Sequence, residues 1–335
     1  MDRRAFIGGA AACSVLTGSA QAQEPPPPGP RFAHAAAYSA QHGGASFMVV
    51  RNGVVWAEDY PGGDPRARIA IGAGTRAFAS LLAGSLVKDR LLSLDEPVAM
   101  TFGEWALHPL KSQVSVRSLL NGTSGVAFAP AGGRDLTAAL TVEPIAAPGE
   151  RFIDDAASYV LLAEIARRKL AGAGRADDPA TYLTLRTLLP IGCSGIDFAR
   201  DAAGAPRLYD GAAITTRGWA QTGELIRREG VWRGEQLVDE NATREALRGT
   251  FAEARAGIGL WLAAPPRAAA PELAIGSDLW RGAAGAPYDL AMAAGEGGQR
   301  LFILPSAALV AVRQARAQSD AWSDAEFIAL LLRDL

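Results

Sequence analysis

Runs of β-branched and aromatic residues mark both ends of the chain, and apolar stripes at helical spacing mark its middle. Residues 46–51 and 54–58 are two such runs joined by Asn52-Gly53, a pair suited to the two positive φ angles of a tight hairpin turn. Further strand-like runs come late, at 258–262, 290–294, 301–304 and 309–313. Helices are predicted from about 78 to 90, where Phe78, Leu81, Leu82, Ser85 and Leu86 form an apolar run, and from 157 to about 170, where Leu161, Leu162 and Ile165 make a stripe. Two more are expected at 219–228 and 324–332. Strands at both ends with helices between predict an α/β (α+β) fold: one antiparallel sheet built from both termini, flanking helices, and an inserted helical subdomain. The sheet part is expected over about 34–80 and 250–335, and the helical part over about 81–249. An Ala/Pro-rich loop at 263–274 carries no recognisable chemistry.

With 335 residues, 49% of them hydrophobic and 20% charged, the chain can bury a large core. A formal net charge of −2 gives no electrostatic case for nucleic acid or an anionic membrane. The N-terminus changes the picture more. Arg3-Arg4, an apolar small-residue run to Leu16, and Ala20-Gln21-Ala22 resemble a twin-arginine export signal with its cleavage site, over residues 1–22. This predicts a periplasmic or secreted protein, with a Pro-rich tether at 23–33 leading into a domain at 34–335. Cys13 follows Ala10-Ala11-Ala12 and lacks the large aliphatic residue of a lipidation site. No later segment is long and apolar enough to span a membrane.

Removal of the signal leaves Cys193 alone, so no intramolecular disulfide can form; beside Gly192 and Ser194 it reads as a packed small residue. His34, His42 and His108 are too scattered for a metal site, no phosphate loop is present, and no cofactor is implied.

The candidate chemistry centres on Gly72-Ala73-Gly74-Thr75-Arg76, followed by the 78–90 helix and the turn Leu92-Ser93-Leu94-Asp95-Glu96-Pro97-Val98. Other segments follow in order: Val116-Arg117-Ser118-Leu119-Leu120-Asn121-Gly122-Thr123-Ser124-Gly125, then Pro148-Gly149-Glu150-Arg151-Phe152, then Ala293-Ala294-Gly295-Glu296-Gly297-Gly298-Gln299. Taken together they resemble the β-lactamase-related serine hydrolases, which include class C β-lactamases, penicillin-binding proteins, esterases and 6-aminohexanoate-oligomer hydrolases. The last motif looks most like the final group.

The resemblance implies a β-lactamase/transpeptidase-like fold and a site with three parts. A Ser at the helix start attacks a carbonyl, a Lys one turn on and a Tyr shuttle the proton, and two backbone N–H groups hold the oxyanion. By position the nucleophile maps to Ala73, the Lys to Arg76, the Tyr to Asp154, the Asn of the same motif to Ala156, and the start of the third motif to Ala293. The implied backbone donors are those of Ala73 and Glu296. Ala73 has no hydroxyl, and the guanidinium of Arg76 accepts no proton at working pH. Arg76 and Asp154 carry opposite charges and are expected to form a bidentate ion pair across the old centre. Ser85 and Lys88 spell a literal Ser-x-x-Lys, but Lys88 lies 9 residues before Pro97, whereas Arg76 lies 21 before it, as the catalytic Lys does in relatives.

These readings predict an exported, catalytically degenerate member of the family that retains a pocket for an amide, ester or cell-wall peptide ligand. Two alternatives stay open: an active hydrolase with a non-standard nucleophile, and a scaffold or partner-binding protein whose pocket is closed by the Arg–Asp pair. Paired carboxylates among Asp154, Asp155 and Glu296 would suit acid–base glycoside hydrolysis, although adjacent Asp residues more often cap the following helix.

Overall fold

The computed structural model describes residues 31–175, 178–263, 277–279, 286–316 and 321–335. The export signal, most of the tether and nearly all of the 263–274 loop lie outside the described residues.

The expected hairpin forms from β1 (Gly44–Arg51) and β2 (Val54–Asp59), with φ of 52° at Asn52 and 79° at Gly53. The late runs supply β3 (Trp261–Leu262), β4 (Ala291–Gly295), β5 (Gln299–Leu304) and β6 (Leu309–Ala315). All join one sheet in the order β2-β1-β6-β5-β4-β3, and each pairing is antiparallel. The first strand thus pairs with the last, which closes the chain on itself. The 258–262 run shortens to two paired residues because Gly257 N–H donates to Leu260 O at 2.9 Å and turns the chain before it reaches the sheet.

The period of two gives the sheet two buried faces. Phe47, Val49, Phe302 and Ala311 pack with Phe327, Ile328 and Leu331 of the closing helix α5 (Asp324–Arg333). A helix that periodicity does not announce, α1 (Ala33–Gln41), covers the same side; its Ala-rich sequence carries little amphipathic signal. Met48, Val50, Leu301, Ile303 and Val310 join the larger core on the other face, together with α2 (Phe78–Lys88), α3 (Ala157–Gly172) and α4 (Thr216–Arg227). Phe78, Leu81, Leu82 and Leu86 of α2 are fully buried, each stabilising the fold by about 1.5–3 kcal/mol.

A small second sheet, absent from the sequence-based expectation, joins Ile69–Ala70, Ala212–Ile214 and Ile196–Phe198. It ties the middle of the chain to the segment that opens the site. Ile71 N–H donates to Ala212 O, and Ala212 N–H donates to Thr75 Oγ1 at 2.9 Å. The start of α4 is pinned to the large sheet by Thr216, whose hydroxyl lies 2.8 Å from Gln314 Oε1 and 2.7 Å from Ser46 Oγ.

Candidate active site

Gly72–Ala77 is a 3₁₀ turn running directly into α2. Residues three apart eclipse one another in such a turn. Ala73 and Arg76 therefore face the same way, and both line a cavity of about 510 Å³. Thr75 points away from it and is fully buried, donating to Gly72 O at 2.7 Å. The end of β4 runs close beside this turn: a side-chain carbon at Gly295 would come within 1.8 Å of Ile71 O, so only glycine permits the approach.

Across the cavity, the residues before α3 present Asp154. Its carboxylate accepts from Arg76 Nη1, so the two residues expected to pair do meet. The contact is single rather than bidentate. Arg76 Nε is buried without a hydrogen-bond partner, and the guanidinium carbon lies 5.3 Å from the centre of the Tyr159 ring, an orientation in which one arm alone reaches Asp154. Burial raises the pKa of Asp154, Asp155 adds to this, and Arg76 opposes it. Burial would lower the pKa of Arg76, but Tyr159, Asp154 and Glu296 outweigh it and the net shift is upward. The Tyr159 hydroxyl is pushed up to about 12 by burial.

Asp155 does something else. Its Oδ1 accepts from Ala157 N–H at 2.8 Å and from Phe128 N–H at 3.0 Å, capping the start of α3. Ala156, which the sequence resemblance sets at the motif's Asn, is buried at the helix start and does not line the cavity. Ala293 is likewise a core residue. It pairs with Leu301 inside the sheet, and the cavity edge is made one residue on, from Ala294 through Gly298.

The expected donor at Ala73 is already taken. Ala73 N–H donates to Glu296 Oε2 at 2.8 Å, so the Glu296 carboxylate occupies the donor that the sequence resemblance assigns to an oxyanion.

Ser85 and Lys88 are nowhere near. Ser85 is fully buried, donates to Leu81 O at 2.7 Å and lies 2.6 Å from Thr187 Oγ1, while Lys88 is exposed at the far end of α2. Lys111 reaches Leu140 O and Lys169 pairs with Glu96, so no lysine lines the cavity; nor does any histidine among the described residues. Cys193 is also remote and fully buried, its thiol pushed up to about 12 by burial.

Several lining residues are not singled out by the sequence. Ser158 and Tyr159, at 4% and 6% exposure, are the two hydroxyls at the cavity wall. Aromatic walls come from Phe152 and Trp261, whose rings meet edge-on at 6.1 Å, and from Trp322. Arg300 lines the cavity too, neutralised by fully buried Asp324 at 2.9 Å. Ser158 is carried in by the first turn of α3, directly after the non-helical Asp154, and Trp322 is brought in by the docking of α5, which no local pattern encodes.

Among the described residues, no helix is long and apolar enough to cross a membrane, and no group of three or more His, Cys, Asp or Glu is arranged to hold a metal.

The fold is shared with solved hydrolases and their homologues. A penicillin-binding protein homologue from Caulobacter crescentus superposes with a TM-score of 0.69 at 18% identity, covering 91% of this chain and 98% of that one. A family VIII carboxylesterase gives 0.70 at 17%, covering 92% and 98%. A Bacillus anthracis chain assigned as a 6-aminohexanoate-dimer hydrolase gives 0.67 at 17%, covering 89% and 79%. No curated protein matches the sequence. A family model described as Beta-lactamase matches residues 31–326, and with the segments above in their expected order, the chain belongs to the beta-lactamase family of serine hydrolases and their relatives.

Proposed function

We propose that this chain is an exported, non-hydrolytic member of its family that binds an amide, ester or cell-wall peptide ligand in the cleft above Ala73. The observation that carries the reading is the Arg76–Asp154 pair at the cleft floor beside the Ala73 methyl. Acyl transfer by this family needs an attacking oxygen with a proton acceptor beside it. Here the equivalent positions offer a methyl group and a guanidinium already committed to a carboxylate. The remaining hydroxyls at the wall, Ser158 and Tyr159, have no lysine or histidine next to them in the cavity lining. Tyr159, held near 12, stays protonated at neutral pH.

The cavity's remaining volume of about 510 Å³, with its aromatic walls, favours a ligand-binding role over a scaffold in which the ion pair shuts the cleft. Export rests on the N-terminal arginine pair and cleavage site, and a reporter fused after residue 22 would appear outside the cytoplasm.

The test is restoration. The triple change Ala73→Ser, Arg76→Lys, Asp154→Tyr, combined with Glu296→Ala to free the backbone donor at residue 73, should create ester hydrolysis absent from the parent. A folded variant carrying all four changes that binds the ester yet never turns it over would count against a retained catalytic frame.

A further inference from the structure

Glu296 is exposed, and one oxygen of its carboxylate is held by the backbone. It folds back across Gly72, reaching Ala73 N–H at 2.8 Å. Two features of the chain accommodate it there. Gly72 has φ of +51°, and a side-chain carbon at that position would come 1.9 Å from Glu296 Oε2, so the space occupied by the carboxylate exists only because residue 72 is glycine. Arg76, one 3₁₀ turn from Ala73, attracts Glu296 electrostatically as well as Asp154. The chain's own carboxylate thus occupies a backbone donor at a helix start beside a guanidinium, two elements that favour anionic oxygen.

We propose that Glu296 is a tethered surrogate ligand: it masks a carboxylate-binding donor at Ala73, and the cleft takes a carboxylate-bearing ligand by exchanging that group for its own. The inference rests on the reading that the cleft binds without turning its ligand over, and it names the ligand chemistry. The exchange conserves the hydrogen bond. The incoming carboxylate accepts from Ala73 N–H, and the Glu296 carboxylate passes into water, where its charge is solvated. Masking also makes the site selective, because a neutral carbonyl competes poorly with a tethered anion for the same N–H.

Benzoate serves as the probe, its ring suited to the aromatic walls and its binding read by tryptophan fluorescence, since Trp261 and Trp322 line the cleft. The full chain is compared with Glu296→Ala and Glu296→Gln, with thermal unfolding as the check on folding. Glu296→Ala vacates the donor and should tighten benzoate by about tenfold or more, the effect of one charge-assisted hydrogen bond freed from competition. Glu296→Gln removes the same charge but keeps an acceptor over Ala73, and should gain much less, about threefold or under. Gly72→Ala puts a side-chain carbon where either carboxylate would sit over Ala73 N–H, so adding it to Glu296→Ala should abolish the gain in benzoate affinity. Equal affinity in the parent and Glu296→Ala would overturn the masking, as would equal gains in Ala and Gln, which would reduce the effect to bulk charge. Neither result touches the non-hydrolytic reading, which fails separately if a serine-directed acylating or phosphonylating probe becomes covalently attached.

Discussion

The Arg76 guanidinium donates to the Asp154 carboxylate across the floor of the cleft, joining residues 78 positions apart that the sequence resemblance assigns to the places of a lysine and a tyrosine. A lone arginine there would leave a half-buried, uncompensated charge, and a lone aspartate would do the same with opposite sign. The two charges make physical sense only together. Arg76→Met should therefore destabilise the protein by about 1–3 kcal/mol, below the range for a fully buried pair because the Asp154 side chain is 34% exposed. Adding Asp154→Leu should recover much of the loss. Chemical denaturation of the four-member cycle measures the coupling, and additive single effects would show that the contact contributes nothing.

Titration gives a second check. Burial raises the Asp154 pKa against the pull of Arg76, so a carboxyl-selective NMR titration should find it above the usual value of 3.8. Because the folded value exceeds the unfolded one, the folded state holds this proton more tightly. The stability it contributes is fully present below the unfolded pKa and is lost as pH rises through the folded pKa. Arg76→Gln removes the opposing charge and should move the Asp154 midpoint further up.

Ser85 should behave as a packing residue. Ser85→Ala removes bonds to Leu81 O and Thr187 Oγ1 in a fully buried setting, at a cost of about 1–3 kcal/mol. Ligand affinity should be unchanged. A variant as stable as the parent but unable to bind would reassign Ser85 to the site.

Cys193 should be inert while the protein is folded. Its thiol is fully buried and held near 12, so a thiol-specific reagent at neutral pH should modify it only after unfolding. Rapid labelling of the native protein would contradict its placement in the core.

The strands and long helices are legible in the sequence because their signals are local. Asn52-Gly53 prescribes its turn, and the apolar run from Phe78 to Leu86 prescribes a buried helix. The positions of Ala73, Arg76 and Asp154 follow from motif order, and their charges anticipate the pair. Other features depend on chain segments meeting at long range. Glu296 reaches Ala73 across 223 residues, and no spacing rule announces that a carboxylate will fold onto a backbone amide. Motif position assigns Ala156 and Ala293 to the site, yet an alanine has no polar group to hold it at a surface, and both are sunk in the core. The short strands at Ile69–Ala70 and Ala212–Ile214 are too brief for periodicity to register, although they fix Thr75. Arg76 makes one bond to Asp154 instead of two because its guanidinium lies over Tyr159, a ring that no sequence signal distinguishes from its neighbours on the helix.

That the cleft holds no working nucleophile is tested most directly by intact-protein mass spectrometry after incubation with a fluorophosphonate, since any activated hydroxyl captures the phosphonyl group and keeps it. An unchanged mass is expected for the native protein. A stoichiometric adduct, mapped to Ser158 or to any other residue lining the cavity, would contradict the proposed loss of chemistry at Ala73.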